Sequence, residues 1–152
     1  VKTPLLLAAA LVMVGCATST ERATREEIHW WRLSEGLVAA KAQNKPLVVD
    51  FYTPEECARC RAMEKYVYSV PEIIRKLNTE FIPVRVDLSK PLTAQERALG
   101  EKYDYKNDCL LLFLDPQGEV IELEGQKLCF VDYVPPEWFL RYLQEGKRHL
   151  KQ

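Results

Sequence analysis

Leu47-Val48-Val49-Asp50-Phe51-Tyr52, the loop Thr53-Pro54-Glu55-Glu56, and then Cys57-Ala58-Arg59-Cys60 form the stretch whose reading decides the fold. The first six residues are an apolar, β-branched run of strand length, suited to a central strand covered on both faces. A helix is predicted to open near Cys57 and run through Met63 and Tyr66. A cysteine at that position meets unpaired backbone N–H groups and the positive end of the helix dipole, both of which favour the thiolate.

Upstream, Ile28 to Leu33, with Trp30 and Trp31, reads as a short first strand. Ser34 is the expected N-cap of a helix through Gln43 with Leu37, Val38 and Ala40 turned inward, and Asn44-Lys45-Pro46 ends it. Downstream, Ser69-Val70-Pro71 interrupts the cysteine-bearing helix, and Pro71 suits the first turn of the next one, through Leu77. Phe81 to Asp87 is predicted as a strand, and Thr93 as the cap of a helix through Lys102. Leu110 to Leu114 follows as a buried strand, with Asp115-Pro116-Gln117-Gly118 as its turn. Glu119 to Glu124 alternates like an edge strand that Leu128 to Val131 continues. Pro135-Pro136-Glu137 opens a last helix with the stripe Trp138, Phe139, Tyr142 and Leu143. The three tryptophans are expected in the core. Alternating strands and helices imply an α/β fold of three layers, a central mixed β-sheet flanked by helices.

Several stretches carry a family resemblance. Lys45 to Tyr52, Cys57-Ala58-Arg59-Cys60 and Met63-Glu64-Lys65-Tyr66-Val67-Tyr68-Ser69 resemble the thioredoxin superfamily. They are most similar to its branch containing the carboxy-terminal domain of the transmembrane thiol:disulfide interchange reductase. Tyr103-Asp104-Tyr105 and Phe113-Leu114-Asp115-Pro116-Gln117-Gly118 extend the likeness, which covers roughly residues 30 to 148. The resemblance implies that Cys57 is the attacking thiol, Cys60 the resolving one, and Asp50 the buried acid that assists proton transfer at the second cysteine. In the family a cis-proline begins the third strand, six residues before the turn aspartate; here that position is Cys109. The resemblance implies that Asp108 and Cys109 lie against the dithiol and hold substrate chains. A cis bond before a non-proline residue costs about 2.5–4 kcal/mol, so the Asp108–Cys109 bond is expected to be trans and the loop reshaped.

The amino-terminal segment reads differently. After Val1-Lys2-Thr3-Pro4, the run Leu5–Val14 is apolar and uncharged, shorter than the roughly 20 residues of a membrane-spanning helix. A basic lead, an apolar centre and small residues before a break mark a secretory signal. Met13-Val14-Gly15-Cys16 resembles the lipobox of bacterial lipoproteins, which implies acylation of Cys16 as the new amino terminus. The expected organisation is a signal peptide over 1–15, a lipid-anchored tether over 16–28 and a thioredoxin-like domain over 29–152. An exported, lipid-anchored, periplasm-facing protein is expected, and Ala17 after Cys16 favours the outer membrane.

Lys plus Arg, 21, nearly balance Asp plus Glu, 22, which removes the electrostatic case for nucleic acid. Lipidation of Cys16 leaves Cys57, Cys60, Cys109 and Cys129. Spacing leaves three readings of the last two open: small buried hydrophobes, a second disulfide, or partners of the first pair in a four-thiolate metal or iron–sulfur site. The expected function is a membrane-tethered thiol:disulfide oxidoreductase acting on disulfides of exported proteins through Cys57 and Cys60. A membrane thiol reductase would supply its electrons, and no cofactor is needed. The alternative is a metal or iron–sulfur carrier using Cys57, Cys60, Cys109 and Cys129.

Glu55 and Glu56 precede Cys57, and nearby carboxylates disfavour a thiolate, which Arg59 offsets in part. The couple is therefore expected to be more reducing than a strongly oxidising exported dithiol protein. Equilibration against glutathione buffers should give a potential well below about −120 mV; a value near that figure contradicts the expectation.

Overall fold

The computed structural model describes residues 26–104 and 110–150. Asp108 and Cys109, like Cys16 and the rest of residues 1–25, lie outside them. The elements are α1 (Leu33–Gln43), β1 (Leu47–Tyr52), α2 (Ala58–Tyr66), α3 (Pro71–Glu80), β2 (Ile82–Asp87) and α4 (Ala94–Lys102), then β3 (Leu111–Leu114), β4 (Glu122–Leu123), β5 (Gln126–Lys127), β6 (Cys129–Phe130) and α5 (Pro136–His149). The main sheet has the order β2-β1-β3-β6. β1 runs parallel to β2 and antiparallel to β3, and β3 is antiparallel to β6. This is the expected thioredoxin-like arrangement of a mixed sheet between helical layers.

Strand periodicity sorts the core into two halves. Successive side chains on a strand point to opposite faces, and β1 obeys this: Val48 joins one cluster while Leu47, Val49 and Phe51 join the other. The Val48 half is closed by Met63 of α2, Ile73 and Leu77 of α3, and Phe139 and Leu143 of α5. The opposite half is closed by Leu33, Leu37 and Ala40 of α1 and Leu99 of α4. β3 lies between them with all four residues buried, and Leu111 and Phe113 face the first half while Leu112 and Leu114 face the second.

Local chemistry sets the element ends. Asn44 takes a left-handed conformation (φ 49°) that closes α1, with its N–H donating to the Ala40 carbonyl. Pro71 occupies the first turn of α3, where its missing N–H costs nothing. Thr93 and Glu96 form a reciprocal capping box: the Glu96 N–H donates to Thr93 Oγ1 at 3.2 Å and the Thr93 N–H to Glu96 Oε2 at 2.8 Å.

Five expectations need correction. The strand over 28–33 is reduced to one parallel bridge between Trp31 and Val84, because α1 begins at Leu33 and takes over the chain. Arg32 rather than Ser34 stands at its N-cap. The buried stripe of α1 runs through Leu33, Gly36 and Ala40, while Val38 is 71% exposed. Against the main sheet the segment 119–124 is reduced to one antiparallel bridge between Val120 and Leu114. Glu124 and Gly125 both have positive φ, the geometry of a tight two-residue hairpin turn. They fold β4 onto β5 as a separate ribbon, leaving β6 to form the edge. The tryptophans also differ from expectation, since Trp31 and Trp138 are exposed at 38% and 46%. Among the described residues no helix is long and apolar enough to cross a membrane.

Gly36 lets α1 sit directly on β2. A Cβ there would collide with Val84 Cγ2, a branched side chain with little freedom to retreat. Gly36→Ala should therefore lower stability by about 1–3 kcal/mol through overpacking, despite the better helix propensity of alanine. Urea denaturation of the two proteins checks this, and an unchanged or raised midpoint contradicts it.

Candidate active site

The site lies past the carboxy-terminal end of the interior strand β1, where α2 begins. After Tyr52 the chain turns through exposed Pro54, Glu55 and Glu56 and enters α2 with Cys57 as its N-cap. Cys57 Sγ accepts the backbone N–H of Cys60 at 3.1 Å, so the sulfur caps its own helix. Cys57 and Cys60 are joined in a disulfide, both almost fully buried and packed against Tyr52 and Leu88. An open cavity of about 550 Å³ borders Cys60, lined in part by Tyr52, Pro54, Arg61, Lys65 and Arg85.

Beneath the disulfide lies a buried charge cluster. Period-2 alternation turns Asp50 to the same face as Val48, where it is 1% exposed. Arg59, the second residue between the cysteines, is turned inward and is 7% exposed. Its Nη2 donates to Asp50 Oδ1 at 3.0 Å and to the Phe51 carbonyl at 2.9 Å, and it reaches Cys60 Sγ at 3.8 Å. The Tyr68 hydroxyl donates to Asp50 Oδ2 at 3.1 Å. Strand register places Arg85 opposite Asp50, with its Nη2 3.5 Å from Oδ2. Arg85 also pairs with Glu64, and its guanidinium lies 3.9 Å from the Trp30 ring centroid and 4.4 Å from that of Tyr52. Burial, and then the Asp50 charge, push the Tyr68 hydroxyl well above the ordinary tyrosine range, so it remains a neutral donor.

The structure thus joins Cys57 to Cys60 and sets Asp50 below them, with Arg59 interposed. Cys129 lies elsewhere. It pairs with Leu112 across β3 and β6 and packs with the α1-side cluster, a different cluster from that of Cys57 and Cys60. Burial raises its thiol above the ordinary value, opposed by the charge of Lys127. Among the described residues no group of three or more histidine, cysteine, aspartate or glutamate side chains is placed to hold a metal ion.

A family model for a thioredoxin-like domain matches residues 33–147. The chain belongs to this family. Thiol:disulfide interchange protein DsbD 2 of Pseudomonas aeruginosa is 31% identical over 87 residues, which are 57% of this chain and 14% of that protein. The likeness therefore covers one part of a much longer relative. Among solved structures, a thioredoxin from Thermus thermophilus superimposes with a TM-score of 0.59 at 22% identity, covering 78% of this chain and 86% of that one. The reduced carboxy-terminal domain of Neisseria meningitidis DsbD gives a TM-score of 0.56 at 21% identity, covering 74% and 91%. At these identities the two structures establish the fold. The resemblance seen in Cys57–Cys60 and its flanks is borne out at that level.

Within this thioredoxin-like domain, sequence reasoning missed three members of the site: Tyr68, Arg85 and the inward turn of Arg59. A signal for Arg85 was present. It is an arginine inside the apolar run of β2, on a strand expected to neighbour one that carries a buried aspartate.

Tyr68→Phe deprives Asp50 of one donor and should cost about 1.5–3 kcal/mol, the range for a hydrogen bond to a charged group. The folded state holds the Tyr68 proton more tightly than the unfolded state. Its contribution is therefore complete below the ordinary tyrosine value, about 10, and is lost as pH rises through the higher folded value. Thermal melts from neutral to alkaline pH should show a decline in the parent that is smaller in Tyr68→Phe. Equal declines contradict the assignment.

Proposed function

We propose that the protein is a thiol:disulfide oxidoreductase acting through Cys57 and Cys60 on disulfides of exported proteins. The observation that carries the reading is the Cys57–Cys60 disulfide at the N-terminus of α2, with Cys57 Sγ already accepting a helix N–H. That N–H and the helix dipole stabilise negative charge on Cys57 once the bond is reduced. The Cys57 thiolate then attacks one sulfur of a substrate disulfide. A mixed disulfide forms, the substrate S–S bond breaks, and the departing thiolate takes a proton. Cys60 next attacks Cys57 Sγ as a thiolate, re-forming the disulfide seen here and releasing the second substrate thiolate. Two electrons pass from the dithiol to the substrate, and the sulfurs themselves carry them.

Re-reduction of Cys57–Cys60 requires an outside dithiol, and a membrane thiol reductase fits an exported domain. The lipobox-like Met13-Val14-Gly15-Cys16 supports a signal peptide over 1–15 and a lipid anchor on Cys16, with 16–28 as tether. On this reading the domain faces the periplasm from the outer membrane. Asp108 and Cys109 would border the dithiol where substrate chains lie.

The reduction of insulin disulfides by dithiothreitol, followed by turbidity, tests the reading. The parent should accelerate precipitation and Cys57→Ser should fall to the uncatalysed rate. A Cys57→Ser protein as active as the parent overturns it.

A further inference from the structure

Resting on the exchange reading above, we infer that Arg59 is a catalytic residue: its guanidinium stabilises the thiolate of Cys60 during the resolving step and when Cys60 departs on reduction of the disulfide. Three observations converge on it. Arg59 Nη2 is 3.8 Å from Cys60 Sγ, whereas Asp50 is held by Arg59 on Oδ1 and by Tyr68 on Oδ2. The cation therefore faces the reacting sulfur, and the carboxylate faces the cation. Second, Arg59 Nε and Nη1 are buried without a hydrogen-bond partner among the described residues. Buried donors are normally satisfied, and an orphaned pair on a charged group is costly. A disulfide sulfur is a poor acceptor, but a thiolate is a strong one, so reduction places a second anion, beside Asp50, within reach of this guanidinium. Third, the anchoring is rigid. Asp50 and the Phe51 carbonyl hold Nη2 from β1, which leaves the cation in place whichever redox state the cysteines adopt.

The remaining charged groups around Cys60 fit this assignment. On α2, Arg61 donates to the Glu55 carbonyl, Lys65 borders the cavity beside Cys60, and Glu64 is engaged by Arg85 of β2. Tyr52 of β1 packs against the dithiol, under the Arg85 guanidinium. Glu55 and Glu56 are exposed. In the resolving step the Cys60 thiolate forms the new bond to Cys57 Sγ, and the electron pair leaves on the substrate sulfur. In the reverse direction an incoming dithiol breaks that bond and the pair returns to Cys60. A more stable thiolate is a better leaving group, which favours the reverse direction, and in the resolving step the cation raises the fraction of Cys60 present as the attacking thiolate.

The test uses the full chain carrying Cys57→Ser, so that Cys60 is a thiol, and follows iodoacetamide labelling of Cys60 by mass spectrometry across pH. Adding Arg59→Gln should raise the pH midpoint of Cys60 labelling and cut labelling at neutral pH about tenfold, one unit of midpoint. Arg59→Lys should restore most of the loss, and Asp50→Asn should leave the midpoint unchanged or lower it. With both cysteines present, Arg59→Gln should shift the equilibrium with glutathione tenfold toward the disulfide, about 30 mV for a two-electron couple. Asp50→Asn with Arg59→Gln leaves neither of these two charges uncompensated and covers a poorly folding single variant. Its midpoint must still lie above that of Asp50→Asn alone. A midpoint that Arg59→Gln leaves in place or lowers, while Asp50→Asn raises it, overturns the inference and returns the role to the carboxylate. Labelling needs no turnover, so its failure is distinct from that of the insulin assay.

Discussion

A carboxylate with 1% exposure at the end of the central strand is the constraint on which the site depends. An ionised group cannot be left in an apolar interior without compensation, and compensation for Asp50 comes from three directions. Arg59 arrives from the first turn of α2, Tyr68 from the segment that follows it, and Arg85 from the neighbouring strand β2. Each partner ties its element to β1. The polar contacts of one residue thereby fix where α2 begins relative to the sheet, and so where Cys57 and Cys60 sit. Packing of Met63 and Val67 against the sheet supplies the apolar half of that attachment.

The same cluster separates this site from a dithiol resting on a bare acid. An interposed arginine changes what a buried aspartate can offer a nearby sulfur. Oδ1 and Oδ2 of Asp50 are both engaged by donors, Arg59 on the first and Tyr68 on the second. The cation it holds is the group in reach of Cys60. Arg85, stacked on Trp30 and Tyr52 and paired with Glu64, extends the cluster toward the protein surface.

Much of this was legible along the chain. Apolar strand-length runs, Pro71, the Thr93 cap and the Asp115 turn placed most elements within a few residues of their observed bounds. What went astray was decided by neighbours. Whether Val38 or Gly36 faces inward depends on the angle at which α1 meets β2, and glycine there admits a closer approach than an apolar stripe suggests. How far the strand continues past the Val120–Leu114 bridge depends on the left-handed pair Glu124-Gly125, which commits the flanking residues to a hairpin. Trp31 and Trp138 are large and apolar, yet the interior was already filled by Phe51, Phe81, Phe113 and Phe139.

The sequence by itself determined the family and the dithiol. A strand of consecutive buried residues, a short loop and two cysteines at a helix start are local patterns, set by strand propensity and helix-end chemistry. Only the tertiary structure decided the company the dithiol keeps. The direction of the Arg59 side chain, the register that sets Arg85 against Asp50, and the separation of Cys129 from Cys57 and Cys60 all depend on elements distant in sequence. Local propensity says nothing of such pairings, because they answer to the cost of burying a charge rather than to the pattern that formed each element.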